Sequence, residues 1–162
     1  MEKFHYTKFF DKCKAILEDE KVTDAEIKSL KSEAVAEKSI AFTFGRFNPP
    51  TIGHEKLMNK VARADRNYKI FISRSEDSKK NPLSPRDKLS WMKKIFPQYA
   101  RNIEINKTNM ILDIATMLYN KGYNAVKMVV GSDRVREFDT ILKKYNDIKS
   151  RHGHYNFKKI DV

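Results

Sequence analysis

Cysteine, tryptophan, glycine and proline are all scarce in this chain of 162 residues, at one, one, five and five. The single Cys13 excludes an internal disulfide, so a reducing, cytoplasmic setting is the expectation. The few glycines and prolines form no linker, and there is no internal repeat and no low-complexity tract. No apolar run approaches the ~20 residues of a membrane span. The opening Met1-Glu2-Lys3-Phe4-His5 mixes charges and does not read as a signal peptide. What is present is globular in kind, 40% apolar and 33% charged. The length suits one domain with a sizeable core.

The formal charge of +12 is unevenly distributed. Residues 1–38 hold eight Lys against nine Asp or Glu, a net charge of −1. Residues 39–162 hold 25 Lys or Arg against 12 Asp or Glu, a net charge of +13. Such a field favours nucleotides, phosphorylated substrates or nucleic acid. A generally Lys-rich composition is the alternative source of the excess.

Residues 1–38 read as a helical extension of two helices, the second opened by a capping box, Thr23 with Glu26. From residue 39 the pattern alternates. Strands are expected at Ile40–Phe44, Tyr68–Ser73, Asn102–Ile105, Ala125–Val130 and within Phe157–Val162. Helices are expected at Glu55–Ala64, Pro85–Phe96, Thr108–Asn120 and from Gly131-Ser132-Asp133 to about Tyr145. Ser84 and Pro85 suit the N-cap and first position of the second helix, Pro97 its end, and Gly122 the close of the third. Trp91 reads as core. The fold class is therefore α/β, a Rossmann-like parallel sheet of about five strands with helices on both faces over 39–162. Right-handed crossovers bring the strands' C-terminal ends to one edge, where ligands bind. Three polar loops leave that edge: Gly45–Gly53, Arg74–Ser84 and Gly131–Arg134.

The densest signal is Phe42-Thr43-Phe44-Gly45-Arg46-Phe47-Asn48-Pro49-Pro50-Thr51-Ile52-Gly53-His54. A strand runs through a Gly- and Pro-bearing loop into a helix N-terminus, whose amides and dipole favour an anion. Gly53 permits close approach of a ligand, Thr51 offers a hydroxyl, and His54 offers an imidazole donor to a phosphate. The plainer alternative is that Thr51 only caps the helix and His54 is an ordinary surface residue. Arg74, Lys79 and Lys80 could line an acceptor pocket or simply belong to a solvated loop. Asp133 could hold a ribose, a substrate or a metal, or cap its helix. Arg134 and Arg136 read as solvated. His152 and His154, without Cys or a set of carboxylates, are weak metal ligands.

Gly45-Arg46-Phe47-Asn48-Pro49-Pro50-Thr51-Ile52-Gly53-His54 resembles the signature of the nucleotidylyltransferase superfamily, a (His/Thr)-x-Gly-His motif after the first strand of a Rossmann-like sheet. Phe-Asn-Pro-Pro-Thr before Gly-His is most similar to the nicotinamide-mononucleotide adenylyltransferase branch and to related phage nucleotidylyltransferases. Gly131-Ser132-Asp133 resembles that branch's Gly-x-Asp. The resemblance spans residues 39–148 and implies transfer of a nucleotidyl group, expected to be adenylyl, from an NTP to a small phosphorylated acceptor, with release of pyrophosphate. It implies Thr51, His54 and Arg46 as catalytic residues. Gly45, Phe47, Gly53, Gly131 and Asp133 would contact nucleotide, and Arg74, Lys79 or Lys80 phosphate. Mg²⁺ is expected with the NTP, bound mostly through phosphate and water, and no protein metal site is expected.

The family's second nucleotide motif, Ile-Ser-x-Thr-x-x-Arg/Lys after the fifth strand, has no counterpart before Val162. The expectation is a domain lacking its C-terminal part, a motif supplied by another chain, or a degenerate member. Two further readings remain open: a non-catalytic nucleotide- or RNA-binding module, and a structural or assembly protein docking through residues 1–38. Self-association and nucleic acid stay open as partners, and a membrane is not expected.

Overall fold

A computed structural model of the chain describes residues 37–80 and 82–162. The two helices expected over 1–38 lie outside them. The sheet is built on β1 (Ser39–Gly45), whose Ile40, Ala41, Phe42 and Thr43 are fully buried. This run of buried residues, apolar but for Thr43, is that of a strand covered on both faces. Beside it lie β2 (Tyr68–Ile72), β3 (Ile103–Ile105), β4 (Ala125–Met128) and β5 (Lys159–Asp161). All pairings are parallel, in the order β3-β2-β1-β4-β5. The chain thus steps outward from β1 to β3, then crosses back to β4 on the other side. The loops after β1 and β4 diverge there and leave a crevice at the sheet's C-terminal edge.

Helices cover both faces. On one face α1 (Ile52–Ala64) and α2 (Pro85–Ile95) place Met58 and Met92 on Ile70, Ile72 and Ile103. On the other, α3 (Ile111–Asn120) and α4 (Val135–Lys144) bring Ile114, Leu118 and Leu142 to Ile40, Phe42, Phe71 and Val126. The five-stranded α/β architecture is the one expected. Gly122 ends α3 in a Schellman arrangement: its φ is +94°, its N–H donates to Tyr119 O at 2.9 Å, and Tyr123 N–H donates to Leu118 O at 3.3 Å. Ser84 caps α2, its hydroxyl oxygen accepting from Asp87 N–H at 3.1 Å with Pro85 following.

Several boundaries differ from expectation. α1 begins at Ile52, not Glu55, because Thr51 is its N-cap and the motif itself forms the first turn. α3 begins at Ile111 rather than Thr108, whose hydroxyl instead closes the preceding turn by accepting from Met110 N–H at 3.3 Å. α4 begins at Val135: residues 132–134 form a turn, so Gly131-Ser132-Asp133 precedes the helix rather than opening it. Trp91 is not core. It is 51% exposed, with Ile95 beside it at 48%, because α2 turns Met92 and Phe96 inward. No described helix is long and apolar enough to cross a membrane.

Candidate active site

The loop after β1 is fixed by Phe47. Its backbone is in the left-handed region, φ +47°, yet its side chain is only 1% exposed. Packing of the ring against the core selects a conformation that a free Phe avoids. A Cβ on Gly45 would lie 3.1 Å from the Phe47 ring, so Gly45 gives the ring its space. Asn48 then ties this loop to the one before α2. Its side-chain amide donates to Leu83 O at 3.3 Å and its carbonyl accepts from Leu83 N–H at 3.4 Å.

Next comes the first turn of α1. Thr51 N–H donates to His54 Nδ1 at 2.9 Å, and the imidazole stands edge-on to Phe47 with ring centres 4.8 Å apart. The Nδ1 acceptor role places the proton of the neutral ring on Nε2, which is left as a free donor. Burial lowers the His54 pKa, which keeps the ring neutral. Thr51 O accepts from His54 N–H at 3.0 Å and from Glu55 N–H at 3.3 Å. The amides of Ile52 and Gly53 have no such partner among the described residues and are the open donors of the helix start.

Beside the β1 loop, the chain leaving β2 is held from three directions. Ser73 N–H donates to Gly45 O at 2.8 Å, and Arg74 N–H donates to the Asn109 side-chain oxygen at 2.8 Å. Lys88, fully buried on α2, donates from Nζ to Ser73 O at 2.7 Å and to Ser75 O at 2.8 Å. Burial lowers the Lys88 pKa; Glu76 opposes the shift and Arg46 adds to it. The Ser73 and Ser75 hydroxyls meet at 2.7 Å.

These parts surround a cleft of about 630 Å³. Gly45, Arg46, Phe47 and His54 form one wall, with Ser73, Ser75 and Asn109 beside them. The opposite wall is apolar, with Met110, Ile111, Val130, Phe138 and Ile141, and carries Gly131, Arg134 and Glu137. Arg134 donates to Glu137 at 3.5 Å, and its guanidinium lies 5.4 Å from the centre of the Phe138 ring. At the floor, the Thr43 hydroxyl is buried without a hydrogen-bond partner among the described residues.

The expected residues are not all brought together. Gly45, Arg46, Phe47, His54 and Gly131 line the cleft. Thr51 and Gly53 adjoin it at the exposed start of α1. Asp133 does not line it; its carboxylate folds back, 2.7 Å from where a Cβ on Gly131 would stand. Lys79 and Lys80 lie outside it on an exposed turn, their amides held by Asp77 Oδ1 at 3.0 and 2.6 Å. Arg74 lines a neighbouring cavity instead. Asn48, Lys88, Asn109, Arg134 and Glu137 were not foreseen in these positions. Lys88 alone had a legible signal, since it stands four residues before Met92 and eight before Phe96 on one apolar line. His152 and His154 pair with Asp113 and Asp147, each at 3.0 Å. No described group of His, Cys, Asp and Glu could hold a metal ion.

A parallel sheet whose crevice pairs a helix N-terminus and a neutral His donor with an apolar wall defines a Rossmann-like nucleotide-binding domain. The chain belongs to the cytidylyltransferase-like family, whose model matches residues 42–160, within the nucleotidylyltransferase superfamily. That membership supports a function of nucleotidyltransferase type. No curated protein matches the chain.

Proposed function

We propose that this protein transfers a nucleotidyl group, most simply adenylyl, from an NTP to a small phosphorylated acceptor and releases pyrophosphate. The observation that carries the reading is the Nε2–H of a neutral His54, a residue lining the cleft, next to the first-turn amides of Ile52 and Gly53 at its margin, all without a partner among the described residues. An acceptor phosphate oxygen forms the new bond to the α-phosphorus, and the bond to the β-phosphate oxygen breaks. The nucleophile is already an anion, so no general base is required. Catalysis is positioning and charge stabilisation. His54 and the α1 amides hold the departing pyrophosphate oxygens, Arg46 forks a phosphate, and the apolar wall takes a base. Glu137 is the one carboxylate lining the cleft among the described residues. Magnesium would therefore be held by phosphate and water rather than by a protein cage, and it would neutralise triphosphate charge.

The test is pyrophosphate release from each NTP with candidate acceptors, nicotinamide mononucleotide included. His54→Ala removes one preorganised donor and should slow turnover by roughly 100-fold. Equal rates for the variant and wild type with every acceptor would refute the reading. A second reading, non-catalytic polyanion binding, is favoured by the net charge of +13 over residues 39–162. It expects RNA binding that weakens steeply with salt and survives His54→Ala.

A further inference from the structure

Beside the cleft lies a second cavity, of about 450 Å³, that the proposed transfer leaves without a role. It is lined by Arg74, Arg86 and Lys107, with Ser84, Ile105 and Asn106 between them. Arg74, Arg86 and Lys107 are exposed, and none makes an ion pair with a described residue. No carboxylate lines the cavity. The two that adjoin Arg86 and Ile105 in the chain are already engaged: Asp87 accepts the Ser84 hydroxyl at 2.6 Å, and Glu104 pairs with Lys69. Three like charges around one concavity repel each other until an anion enters.

The cavity and the cleft share one wall. Alternate residues of an extended chain point to opposite sides. Ser73 and Ser75 accordingly line the cleft while Arg74, between them, lines the cavity. Arg74 stands on a ridge that is held in place: Asn109 takes its N–H, and Lys88 takes the carbonyls on either side of it. Asn106 on the cavity floor is buried, and its N–H is bonded to Ile72 O at 2.9 Å. A ligand spanning from the crevice at β1 to the β3 edge would cross about two strand spacings, roughly 10 Å.

We infer that this cavity is a second phosphate subsite, holding another phosphate of the same acceptor whose reactive phosphate sits in the cleft. The acceptor class is then one with two phosphate groups about one nucleotide unit apart. Two sources share that chemistry: a small bisphosphate and the first phosphodiester of a 5′-phosphorylated oligonucleotide. The inference rests on the transfer reading for the identity of the ligand, but the subsite itself is measurable without it.

The experiment uses the full chain and its Arg86→Ala/Lys107→Ala variant, followed by amide NMR. Inorganic phosphate is expected to shift the Arg86, Asn106 and Lys107 signals saturably, and the variant to lose that response while the Gly53 and His54 response to ATP persists. Phosphate shifts confined to Gly53 and His54, or an unchanged response in the variant, would overturn the subsite. Adenosine 3′,5′-bisphosphate and a 5′-phosphorylated dinucleotide are then compared with AMP by calorimetry. At least one should bind about tenfold tighter or more, as one added charge-assisted contact allows, and the variant should erase the gain. The source of the second phosphate is the ligand that gains. No gain for either ligand overturns the bridging role. Failure of ATP to bind, with the phosphate response intact, would instead count against the transfer reading.

Discussion

Replacing Gly53 by Ala separates what this residue does for the fold from what it does for a ligand. A Cβ there would meet only the Thr51 hydroxyl, at 3.6 Å, an ordinary van der Waals distance. The residue sits at the second position of α1. Ala is favoured over Gly by ~1 kcal/mol in a helix interior and by less in a first turn. A gain of roughly 0.5 kcal/mol follows, with a rise in Tm of about 1–2 °C for a domain of this size. A bound phosphate reverses the sign. Its oxygen would approach the Gly53 amide to about 2.9 Å, close to where the new methyl stands. Stretching one charge-assisted hydrogen bond costs ~1.5–3 kcal/mol, or roughly 10–100-fold in affinity. Thermal melting and ATP titration of Gly53→Ala therefore move in opposite directions. A raised Tm with unchanged ATP affinity would mean that no phosphate approaches the start of α1. A Tm lowered by several degrees would refute the account of free space around this glycine.

Lys88→Met keeps the apolar stem but leaves Ser73 O and Ser75 O without their donor; it should cost about 2–4 kcal/mol in urea denaturation. A loss below about 0.5 kcal/mol would show that the ridge after β2 does not depend on this ammonium. Tyr155 is 2% exposed, and its hydroxyl donates to Leu142 O at 2.6 Å, satisfying a carbonyl in the last turn of α4. Burial, with a smaller push from Tyr145, raises its pKa to about 12 from the ordinary value of 10. The folded state thus favours the protonated phenol. Its contribution is complete below pH 10 and falls away through about pH 12, by about 3 kcal/mol at most. Stability curves of wild type and Tyr155→Phe should converge over that window, and parallel curves would contradict the assignment.

The sheet was legible because β1 and β4 are mostly apolar, interrupted only by Thr43 between Ile40 and Phe44 and by Lys127 between Ala125 and Met128, and the helices between strands keep a clear 3.6-residue period. The caps at Ser84 and Gly122 were legible because each uses a residue with a local chemical reason to be there. The start of α1 was displaced by three residues because its first turn, Ile52-Gly53-His54, buries little and so lacks the periodic signal that marks a helix. Trp91 misled through its size: its position on α2, one residue before Met92, turns it away from the Met92–Phe96 line. The polar residues that shape the cleft were harder to find. Asn48 and Asn109 act through loop-to-loop hydrogen bonds, about 35 residues apart in the chain, which no local pattern encodes. The resemblance of Gly131-Ser132-Asp133 to a Gly-x-Asp motif points Asp133 at the nucleotide, whereas a turn over 132–134 sends its carboxylate back over Gly131. Arg134 faces the cleft in its place.

Thr51 and His54 admit two readings in the sequence, a helix cap or a phosphate site, and the geometry removes the conflict between them. The cap uses one ring nitrogen: Nδ1 accepts the Thr51 amide and closes the first turn. That bond fixes the tautomer, and Nε2 becomes the free donor beside the amides of Ile52 and Gly53. Phe47 holds the ring edge-on, and the burial that it provides lowers the pKa, so the donor is neutral before a ligand arrives. Gly45 closes the chain of dependence, because a Cβ there would stand 3.1 Å from the Phe47 ring that orients the imidazole and would oblige the ring to shift by a few tenths of an ångström. Capping is therefore the means by which this segment aims a phosphate donor, and a variant that preserves the cap through Nδ1 while blocking Nε2 would keep the fold and lose the site.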